Sequence, residues 1–442
     1  MSVLIAVVVM FALAMIGLNV VVSLFIGALV GGLASGMDFL AVIKAYEQGL
    51  QGNAGIALTY AMLGVLALCL TESGLPRVMA DKLIDYAERN KAKERKLFYT
   101  LVFGLIAIGF VAETLVPVHI AFVIMIVPPL LPLFNKLKID RRAMACVLSF
   151  GLVAGYLFFP VGFGSVYLRS ILLAKVSEAG LNVEGLSVMK AMALPVLGMF
   201  AGTMVAVFVT YRKARIYKDA PVSVQADETK ALSPKRRRYN LIVALVAVAC
   251  TFAAQLMADN SMLFGALTGI VVFMALGVVR FVRAETLFNQ GMMMMAVIGF
   301  IMISASGFAE VMNQTGDIPA LVDMAVKWSF GSKAFAALGM LIVGLVITLG
   351  IGSSFSTVPI IAAIYVPLCA ALGFSPLATV ALIGTAGALG DTGSPVSDST
   401  LGPSAGLNAD GQHIHFKETV TPTGLHLNTG LLVAGWIAAM VL

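Results

Sequence analysis

The sequence predicts an all-α protein that crosses a lipid bilayer many times. Of its 442 residues, 60% are hydrophobic and only 12% are charged, and the mean hydropathy is +0.98. Soluble domains carry about 25% charged residues. The apolar residues form long runs, and one polar stretch at 211–239 separates two stretches of similar pattern. We therefore predict a first transmembrane half at 1–210, a cytoplasmic linker at 211–239 and a second transmembrane half at 240–442.

Seven apolar segments precede the linker and seven follow it, each compatible with membrane-spanning helix. Those of the first half lie near 3–17, 20–36, 54–73, 98–113, 116–134, 143–173 and 191–210. Those of the second half lie near 240–258, 262–282, 292–312, 334–352, 355–373, 376–409 and 419–442. The net charge of +6 resides mostly in the loops between segments, so it indicates membrane topology and not nucleic-acid binding.

Three pairs of similar segments indicate that the second half repeats the first. The pairs are FIGALVGG at 25–32 with LFGALTGI at 263–270, TESGLPRVMADKL at 71–83 with NQTGDIPALVDMA at 313–325, and ETLVPVHIAFVIMIVPPLL at 113–131 with FSTVPIIAAIYVPLCAALG at 355–373. Matched positions differ by 238 to 242 residues, and the order of the pairs is kept. A nearly constant offset indicates one structural unit used twice.

Basic residues predict which loops face the cytoplasm. Seven Lys or Arg lie within 77–96 and four within 136–142. The two segments between these loops, 98–113 and 116–134, must then enter and leave the membrane on the same side. They form either two full spans or a re-entrant hairpin. We favour the hairpin because Glu113 and its polar neighbours at the junction suit a tip that is buried within the protein.

Counting the hairpin as no net crossing leaves about five crossings in each half. An odd number of crossings inverts the second half relative to the first and places both termini outside. A second hairpin, with its tip SSFSTVP at 353–359, then enters from the outside. The expected fold is therefore two inverted repeats, each with about five transmembrane helices, a re-entrant hairpin and a broken helix.

The most informative break lies at 384–411, where glycines and the prolines Pro395 and Pro403 exclude a continuous helix. Irregular backbone is tolerated at membrane depth only when it is buried in protein or lines a watery cavity. Asp391 and Asp398 within the break therefore predict a binding site. The alternative is a loop outside the membrane.

The first half contains a corresponding break in the segment 150–170. Pro160, Gly162 and Gly164 interrupt it, and PVGFGS there is similar to PVSDST at 395–400. Broken helices present partly positive N-termini and partly negative C-termini at the membrane midplane. Such helix ends can hold small ions.

At these residues the chain resembles the ion transporter superfamily, which includes NhaC-type Na+/H+ antiporters, arsenite and citrate carriers, and dicarboxylate symporters. The stretch GDTGSPVSDSTLGPSAGLNADGQH at 390–413 is most similar to the NhaC-related group described as amino-acid, especially histidine, transporters. NhaC-type antiporters share its core, so this core does not separate cation exchange from amino-acid transport. Dicarboxylate symporters of the superfamily carry Ser-Asn-Thr at each hairpin tip. Here the tips read Glu113-Thr114 and Ser356-Thr357, which disfavours dicarboxylates as substrates.

The candidate ion site combines two carboxylates with neutral hydroxyls, the oxygen ligands that hard cations prefer. A Na+ is predicted at Asp391, Ser394 and Asp398. Glu113 lies among apolar residues and is a candidate proton carrier; the alternative is a protonated or vestibular side chain. The further predicted binding residues lie at the hairpin tips and the two breaks: Thr114, His119, Gly162, Gly164, Ser165, Ser354, Ser356, Thr357, Ser397 and Ser399. Each hydroxyl alone is equally compatible with a helix cap, and His119 with simple packing.

Together these features predict a secondary active transporter of the inner membrane that works by alternating access. Its substrate is expected to be a small amino acid, with histidine a candidate, and Na+ or H+ is the coupling ion. A Na+/H+ antiporter is the alternative. No Walker motif and no HEXXH motif occurs, so neither ATP hydrolysis nor zinc proteolysis is expected, and no cofactor is predicted. A homodimer is compatible with the sequence.

Overall fold

The computed structural model describes residues 2–16, 18–51, 54–75, 78, 94–114, 119–218, 233–258 and 261–442. All regular structure within these ranges is helical, which confirms the all-α prediction. Most of the basic loop at 77–96 and residues 219–232 of the linker lie outside the described residues, as does Pro117 of the first hairpin.

We number the helices in chain order. In the first half they are α1 Ser2–Met15, α2 Val20–Ala34, α3 Phe39–Gln51, α4 Ala54–Glu72, α5 Glu94–Thr114, α6 His119–Lys136, α7 Arg141–Phe158, α8 163–178 and α9 Val188–Thr210. Short π-helical stretches widen α8 at Val166–Leu173 and the end of α9 at Ala206–Thr210. The predicted break is confirmed, because α7 ends at Phe158 and α8 begins at Phe163.

The second half contains the following helices. They are α10 Pro234–Met257, α11 Met262–Ala275, α12 Phe281–Gln314, α13 Ile318–Trp328, α14 Lys333–Ile351, α15 Ser354–Ala371, α16 Pro376–Ala388, a 3-10 turn Asp391–Gly393, α17 Asp398–Leu407 and α18 His415–Val441. Two details differ from the sequence prediction. The polar segment before residue 240 already belongs to α10, and the short helices α3 and α13 are additional elements.

Side-chain caps fix where several helices begin. Ser233, Ser261 and Ser375 each accept a hydrogen bond from the backbone N–H three residues ahead, which satisfies a donor that the helix itself leaves unpaired. Pro234 and Pro376 follow two of these caps at the first helical position, where their missing N–H costs nothing. The basic start of α10 is therefore helical because of its Ser-Pro cap, although it lacks apolar residues.

Six helices in the described part of the chain are long and apolar enough to cross a bilayer. They are Lys96–Thr114, Arg141–Phe158, Val188–Thr210, Pro234–Met257, Ser354–Ala371 and His415–Val441. Shorter apolar helices occur at Val20–Ala34, Ala57–Glu72, Met262–Ala275 and Lys333–Leu349. The chain is therefore a multi-pass membrane protein. Whether α5–α6 and α14–α15 are re-entrant, and whether the halves are inverted, stay predictions.

The helices form two packing groups, and each group contains helices from both sequence halves. In one group α12 packs against α2, α3 and α4, and α11 packs against α4 and α10. In the other, α5 packs against α7, α6 against α17, and α14 and α15 against α16. The groups meet where α12 and α13 contact α15. The two sequence halves are thus interleaved in space.

Glycine pairs allow close helix contacts within the second group. A Cβ on Gly109 of α5 would lie 2.8 Å from the Gly151 backbone of α7, and a Cβ on Gly198 of α9 would lie 2.3 Å from the Gly430 carbonyl oxygen of α18. Between membrane helices there is little hydrophobic driving force, so backbone approach through small residues supplies the packing energy. The first of these contacts brings α7 close to α5, and nearly all residues of α7 are buried.

Both chain termini lie at the same end of the helix bundle. Ser2 donates from its backbone N–H to Asp317 at 3.0 Å, and Ser375 donates to the carbonyl of Leu442. The linker begins at the opposite end of α18, where Arg215 contacts Glu418. This relative arrangement agrees with the predicted topology, while the orientation of the termini in the membrane stays a prediction.

Candidate functional site

The break between α16 and α17 places Asp391 inside the protein. α16 contains 13 residues, all buried from Ala378 onward, and at about 1.5 Å per residue it extends for ~20 Å, less than the ~30 Å thickness of the bilayer core. The chain then turns at Gly390, whose φ of +92° is readily adopted only by glycine. A Cβ at Gly390 would also lie 2.7 Å from the carbonyl oxygen of Leu345. Asp391 follows as the first residue of the 3-10 turn.

Four hydroxyl groups converge on the Asp391 carboxylate. Tyr156 and Ser354 each donate to Oδ2 at 2.5 Å. Ser397 donates to Oδ1, and Ser399 donates to the same oxygen at 3.2 Å. Asp391 is only 6% exposed. We call these five residues the Asp391 cluster.

The Asp391 cluster joins three elements that are distant in sequence. Tyr156 comes from the last turn of α7, Ser354 from the first residue of α15, and Ser397 and Ser399 from the start of α17. Hydrogen bonds to a carboxylate favour its charged form. The hydroxyl oxygens keep lone pairs after donating, and with the carboxylate they form the all-oxygen donor set that hard cations prefer.

The structure brings together four of the predicted site residues: Asp391, Ser354, Ser397 and Ser399. Ser394 lies elsewhere, because its hydroxyl donates to the Leu349 carbonyl at 2.9 Å. Asp398 is half-buried at the first position of α17, where the helix dipole favours a negative charge. Of the three residues predicted to hold Na+, only Asp391 belongs to the cluster.

The second hairpin tip is a tight turn closed by buried hydroxyls. Gly352, with φ +73°, ends α14, and α15 begins at Ser354. Ser356 donates to the Ser353 hydroxyl at 3.3 Å, and Thr357 donates to the Ser353 carbonyl at 3.0 Å. Both side chains are fully buried. The tip therefore lies inside the protein beside the α16 break, as a re-entrant hairpin requires.

The first hairpin tip packs against the first break. Thr114 bonds back to the carbonyl of Phe110 at 2.7 Å, and Glu113 is 1% exposed. Gly162 adopts φ +60°, and a Cβ there would lie 2.0 Å from the Thr114 carbonyl oxygen. The side chain of His119, predicted as a substrate contact, lies outside the described residues.

The remaining predicted residues shape the first break. A Cβ on Gly164 would lie 2.0 Å from the Phe159 carbonyl oxygen, so this position admits only glycine. Ser165 is 4% exposed and directly precedes the π-helical part of α8. These residues and Gly162 belong to the backbone around the first hairpin tip and do not contact the Asp391 carboxylate.

Sequence reasoning missed Tyr156 and a second polar pair near the break. Thr392 donates to Oδ1 of Asn428 at 2.7 Å, and the Gly390 N–H contacts the same oxygen at 3.3 Å. Tyr156 lies four residues before Pro160, and Asn428 directly precedes the apolar last part of α18. A polar side chain facing a helix break is the signal that could have identified both.

Residues 402–406 read GPSAG, which matches the GxSxG pattern of serine hydrolases. Ser404 Oγ lies 2.6 Å from Nδ1 of His415. However, Ser404 lies within α17 and not on a strand-to-helix turn, and Nε2 of His415 contacts the Pro395 carbonyl at 2.9 Å. This serine–histidine pair therefore lacks both the strained elbow and the carboxylate partner of a hydrolase.

A charged network lies at the other end of α7. Arg141 is fully buried and forms a bidentate pair with Asp410, with both N···O distances 2.6 Å. Its guanidinium also donates to the Leu407 carbonyl at the end of α17 and stacks on the ring of Tyr217 in the linker. The network thus connects α7, α17 and the docked part of the linker.

Two groups of this network titrate away from their usual ranges. Burial alone would raise the pKa of Asp410, but the hydrogen bonds and charge of Arg141 outweigh it and hold that pKa below its usual value. Burial lowers the pKa of His413 to about 4, against the opposing effect of Glu418. Within the described residues, no group of three or more His, Cys, Asp or Glu side chains could hold a metal ion.

Comparison with known families gives a consistent result. The family described as "Na+/H+ antiporter family" matches residues 147–436, and a second family, described as "Na+-H+ antiporter family", matches residues 1–87. The first match includes the Asp391 cluster.

Three relatives match the chain over most of its length. An uncharacterized membrane protein of Vibrio parahaemolyticus is 48% identical, covering 100% of this chain and 99% of its own. An uncharacterized membrane protein of Haemophilus influenzae is 45% identical with the same coverage. A Bacillus subtilis protein named "Putative amino acid transporter YuiF" is 44% identical and covers 90% of each chain.

Two solved structures share the fold. The YdaH transporter of Alcanivorax borkumensis gives a TM-score of 0.61 at 16% identity, covering 91% of this chain and 88% of that one. Neisseria gonorrhoeae MtrF, described with a class of antimetabolite efflux pumps, gives 0.59 at 15% identity, covering 91% and 84%. At these identities the likeness concerns the fold alone.

Proposed function

Because the chain belongs to the Na+/H+ antiporter family and is a multi-pass membrane transporter, we propose that it moves a small amino acid across the membrane in exchange for, or together with, Na+ or H+. The observation that carries this proposal is the Asp391 cluster, a buried carboxylate in a helix break with four hydroxyl groups around it. Ionisable side chains at such positions in membrane proteins belong to ion or substrate pathways.

The cluster is suited to a coupling ion because its parts come from three different elements. Ser354 lies on a hairpin tip, and Tyr156 lies on the helix before the first break. A cation bound between the Asp391 carboxylate and these hydroxyls would hold tip and breaks together. Its release would leave a buried charge whose desolvation is costly. Ion occupancy would thereby bias the protein between two conformations, as alternating access requires.

An amino-acid substrate is supported by the relative named for amino-acid transport and by a polar cavity. This cavity, with a volume of about 450 Å³, lies between α3, α8, α12, α13 and α15, and its charged lining residues are Lys175, Glu178 and Glu310. Lys175 pairs with Glu178 at 2.7 Å on one wall, and Glu310 lies on another. Pro359 of α15 also lines it, less than two turns beyond Ser354. An amino acid carries one positive and one negative charge, so a cavity lined by both basic and acidic side chains suits it.

Glu113 is our proposed proton carrier. It is 1% exposed at the end of α5, and its Cβ packs against Gly155 of α7, one residue before Tyr156. A carboxyl group that is buried within a membrane protein belongs by default to an ion or proton pathway. Glu113→Gln should therefore flatten the pH dependence of transport while Na+ dependence persists.

The test is uptake by proteoliposomes across an amino-acid panel that includes L-histidine, L-lysine, L-serine, L-leucine and L-glutamate. Na+ and pH gradients are imposed separately. Accumulation of one amino acid above its external concentration, driven by either gradient, supports the proposal. If no amino acid accumulates under any gradient, amino-acid transport is excluded for these substrates.

Na+/H+ antiport without an amino acid is a second candidate, favoured by the two family matches. It makes a different prediction in the same vesicles. An inward Na+ pulse would move protons outward in the absence of any amino acid, which a trapped pH-sensitive dye detects. Coupled amino-acid transport instead requires the amino acid for ion movement.

A further inference from the structure

Tyr60 is a buried side chain that the Asp391 cluster does not use. It lies in α4, belongs to the first packing group and is 0% exposed. Its hydroxyl has no hydrogen-bond partner among the residues that the structure describes.

Tyr60 contrasts with the other buried tyrosines of the described chain, whose hydroxyls are all engaged. Tyr46 contacts Ser304, Tyr156 donates to Asp391, Tyr167 donates to the Gly384 carbonyl at 3.0 Å and Tyr365 donates to the Met340 carbonyl at 2.7 Å. Leaving a buried hydroxyl unpaired costs free energy, so buried polar groups normally find a partner. An exception at this position indicates a partner that binds from outside the chain.

The position of Tyr60 connects it to the Asp391 cluster. Its ring packs edge-on against Phe163 at 5.8 Å and against Phe355 at 6.0 Å between centroids. Tyr156 contacts the same two rings, at 6.5 Å and 5.1 Å. Phe163 lies in the first break, between Gly162 and Gly164, and Phe355 follows Ser354 at the hairpin tip. Tyr60 and Tyr156 therefore contact the same two phenylalanine rings, one beside the first break and one at the second hairpin tip.

The two tyrosines offer different chemistry to a ligand. The Tyr156 hydroxyl already donates to a carboxylate, so its end of the site is acidic and suits a cation or an ammonium group. The Tyr60 hydroxyl is a donor without a partner in the described chain, and two phenylalanine rings pack against its ring. A donor placed away from Asp391 suits an anionic acceptor, and a carboxylate accepts strongly from a hydroxyl.

From this arrangement we propose that the Tyr60 hydroxyl donates to the carboxylate of the transported amino acid, while the Asp391 end of the site receives the positive charge. The proposal rests on the proposed function, because it requires an amino-acid substrate. It assigns a substrate contact to α4, a helix of the first packing group, so that the substrate bridges the two groups.

Tyr60→Phe tests the proposal, because it removes one oxygen and keeps the ring contacts. The readouts are the apparent Kd for L-histidine from ligand-dependent thermal shifts of the purified protein and the initial uptake rate. Histidinamide, which lacks the carboxylate, is the comparison ligand. A hydrogen bond to a charged group corresponds to a factor of about 10 to 100 in affinity. We expect Tyr60→Phe to weaken L-histidine binding by that factor and to weaken histidinamide binding less, because the amide oxygen is a neutral acceptor.

Tyr365→Phe is the matched control, because it removes a hydroxyl that bonds only within the protein. It should lower the melting temperature of the ligand-free protein and preserve the preference for L-histidine over histidinamide. Tyr60→Phe should show the reverse pattern, with an unchanged or higher melting temperature and a lost preference.

The outcomes separate the two claims. If the wild-type protein binds L-histidine and Tyr60→Phe keeps both its affinity and its preference over histidinamide, the Tyr60 assignment is wrong and amino-acid transport stands. If the wild-type protein binds neither L-histidine nor another amino acid of the panel, the proposed function fails, and the Tyr60 assignment fails with it.

Discussion

At the scale of single residues, Asp391 is the carboxylate on which most contacts of the site converge. Its four hydroxyl partners come from α7, α15 and α17. Asp398 carries the same chemical group seven residues later, yet it lies half-buried at a helix N-terminus. Since the unperturbed pKa values of the two aspartates are equal, any functional difference between them arises from these surroundings.

We expect Asp391→Asn to abolish the dependence of uptake on the coupling ion. The neutral amide of asparagine cannot balance the charge of a bound cation. Coupling between an ion site and a substrate site typically changes the affinity for the substrate by about 5- to 150-fold, and this variant should lose that effect. Asp398→Asn makes the same chemical change outside the cluster and should cause a smaller loss. Initial uptake rates against Na+ at pH 6, 7 and 8 provide the measurement. Equal ion dependence in Asp391→Asn and the wild type would remove Asp391 from the coupling mechanism.

Arg141 and Asp410 form a buried ion pair with a structural role. Asp410→Asn leaves a buried positive charge without its counter-charge, which typically costs about 3–5 kcal/mol. Glu178→Gln removes a pair whose glutamate is 63% exposed and should cost no more than about 1 kcal/mol. Thermal unfolding in detergent compares the two variants. A melting temperature of Asp410→Asn close to that of Glu178→Gln would contradict a stabilising pair.

His413 gives this end of the protein a pH-dependent stability. Its pKa falls from about 6.5 to about 4 on burial, so between these pH values the unfolded chain binds a proton that the folded protein excludes. The resulting stability is complete above about pH 6.5 and is lost as the pH falls toward 4. His413→Gln should reduce the slope of melting temperature against pH in this window. His426→Gln controls for replacing a buried histidine, and an unchanged slope in His413→Gln would refute this assignment.

At the scale of elements, each hairpin tip lies against a helix break. Ser354 of the second tip donates to Asp391 in the second break, and Thr114 of the first tip contacts the backbone of the first break at Gly162. Each hairpin tip and the break beside it therefore stabilise each other. Their irregular backbone has N–H and C=O groups that lipid cannot pair, and the neighbouring element supplies protein contacts instead.

Gly162→Ala should destabilise the contact between the first tip and the first break. A Cβ there would lie 2.0 Å from the Thr114 carbonyl oxygen and would also strain a backbone at φ +60°. Gly411→Ala also places an alanine at a positive φ, +76°, but its Cβ meets nothing within 4 Å. The melting temperature should fall clearly further for Gly162→Ala than for Gly411→Ala. Equal losses would mean that the first hairpin tip moves away from the added methyl group without destabilising the protein.

At the scale of the whole molecule, the contacts determine relative sidedness. Ser2 and Leu442 lie at one end of the bundle, and the docked linker residues lie at the other. The basic residues of the linker and of the start of α10 predict that the second end is cytoplasmic.

Single cysteines in a background without the four native cysteines test this orientation. An impermeant thiol reagent added to intact cells should label a cysteine at Leu442, which is 37% exposed, and should not label one at Ser233. After permeabilisation Ser233→Cys should react, which controls for its accessibility. Labelling of Ser233→Cys in intact cells would reverse the topology.

Much of the architecture and part of the site follow from the sequence alone. The apolar runs, the breaks at Pro160 and Pro395 and the tight second hairpin tip are local properties of composition and backbone chemistry, and the structure contains each of them. Asp391, Ser397 and Ser399 could be named because they share one break. Composition alone does not show where α10 begins, because its basic start is helical owing to the Ser-Pro cap.

The sequence by itself therefore determined the protein class and the break that carries the central carboxylate. Only the tertiary structure decided that Tyr156 and Ser354 complete the shell around Asp391, that Ser394 bonds elsewhere, and that Tyr60 adjoins the site. The physical reason is that a hydrogen bond between residues 235 positions apart, such as Tyr156 to Asp391, depends on how whole helices pack. Helix packing in a membrane depends on close contacts between small residues, and no local sequence pattern specifies which distant surfaces meet.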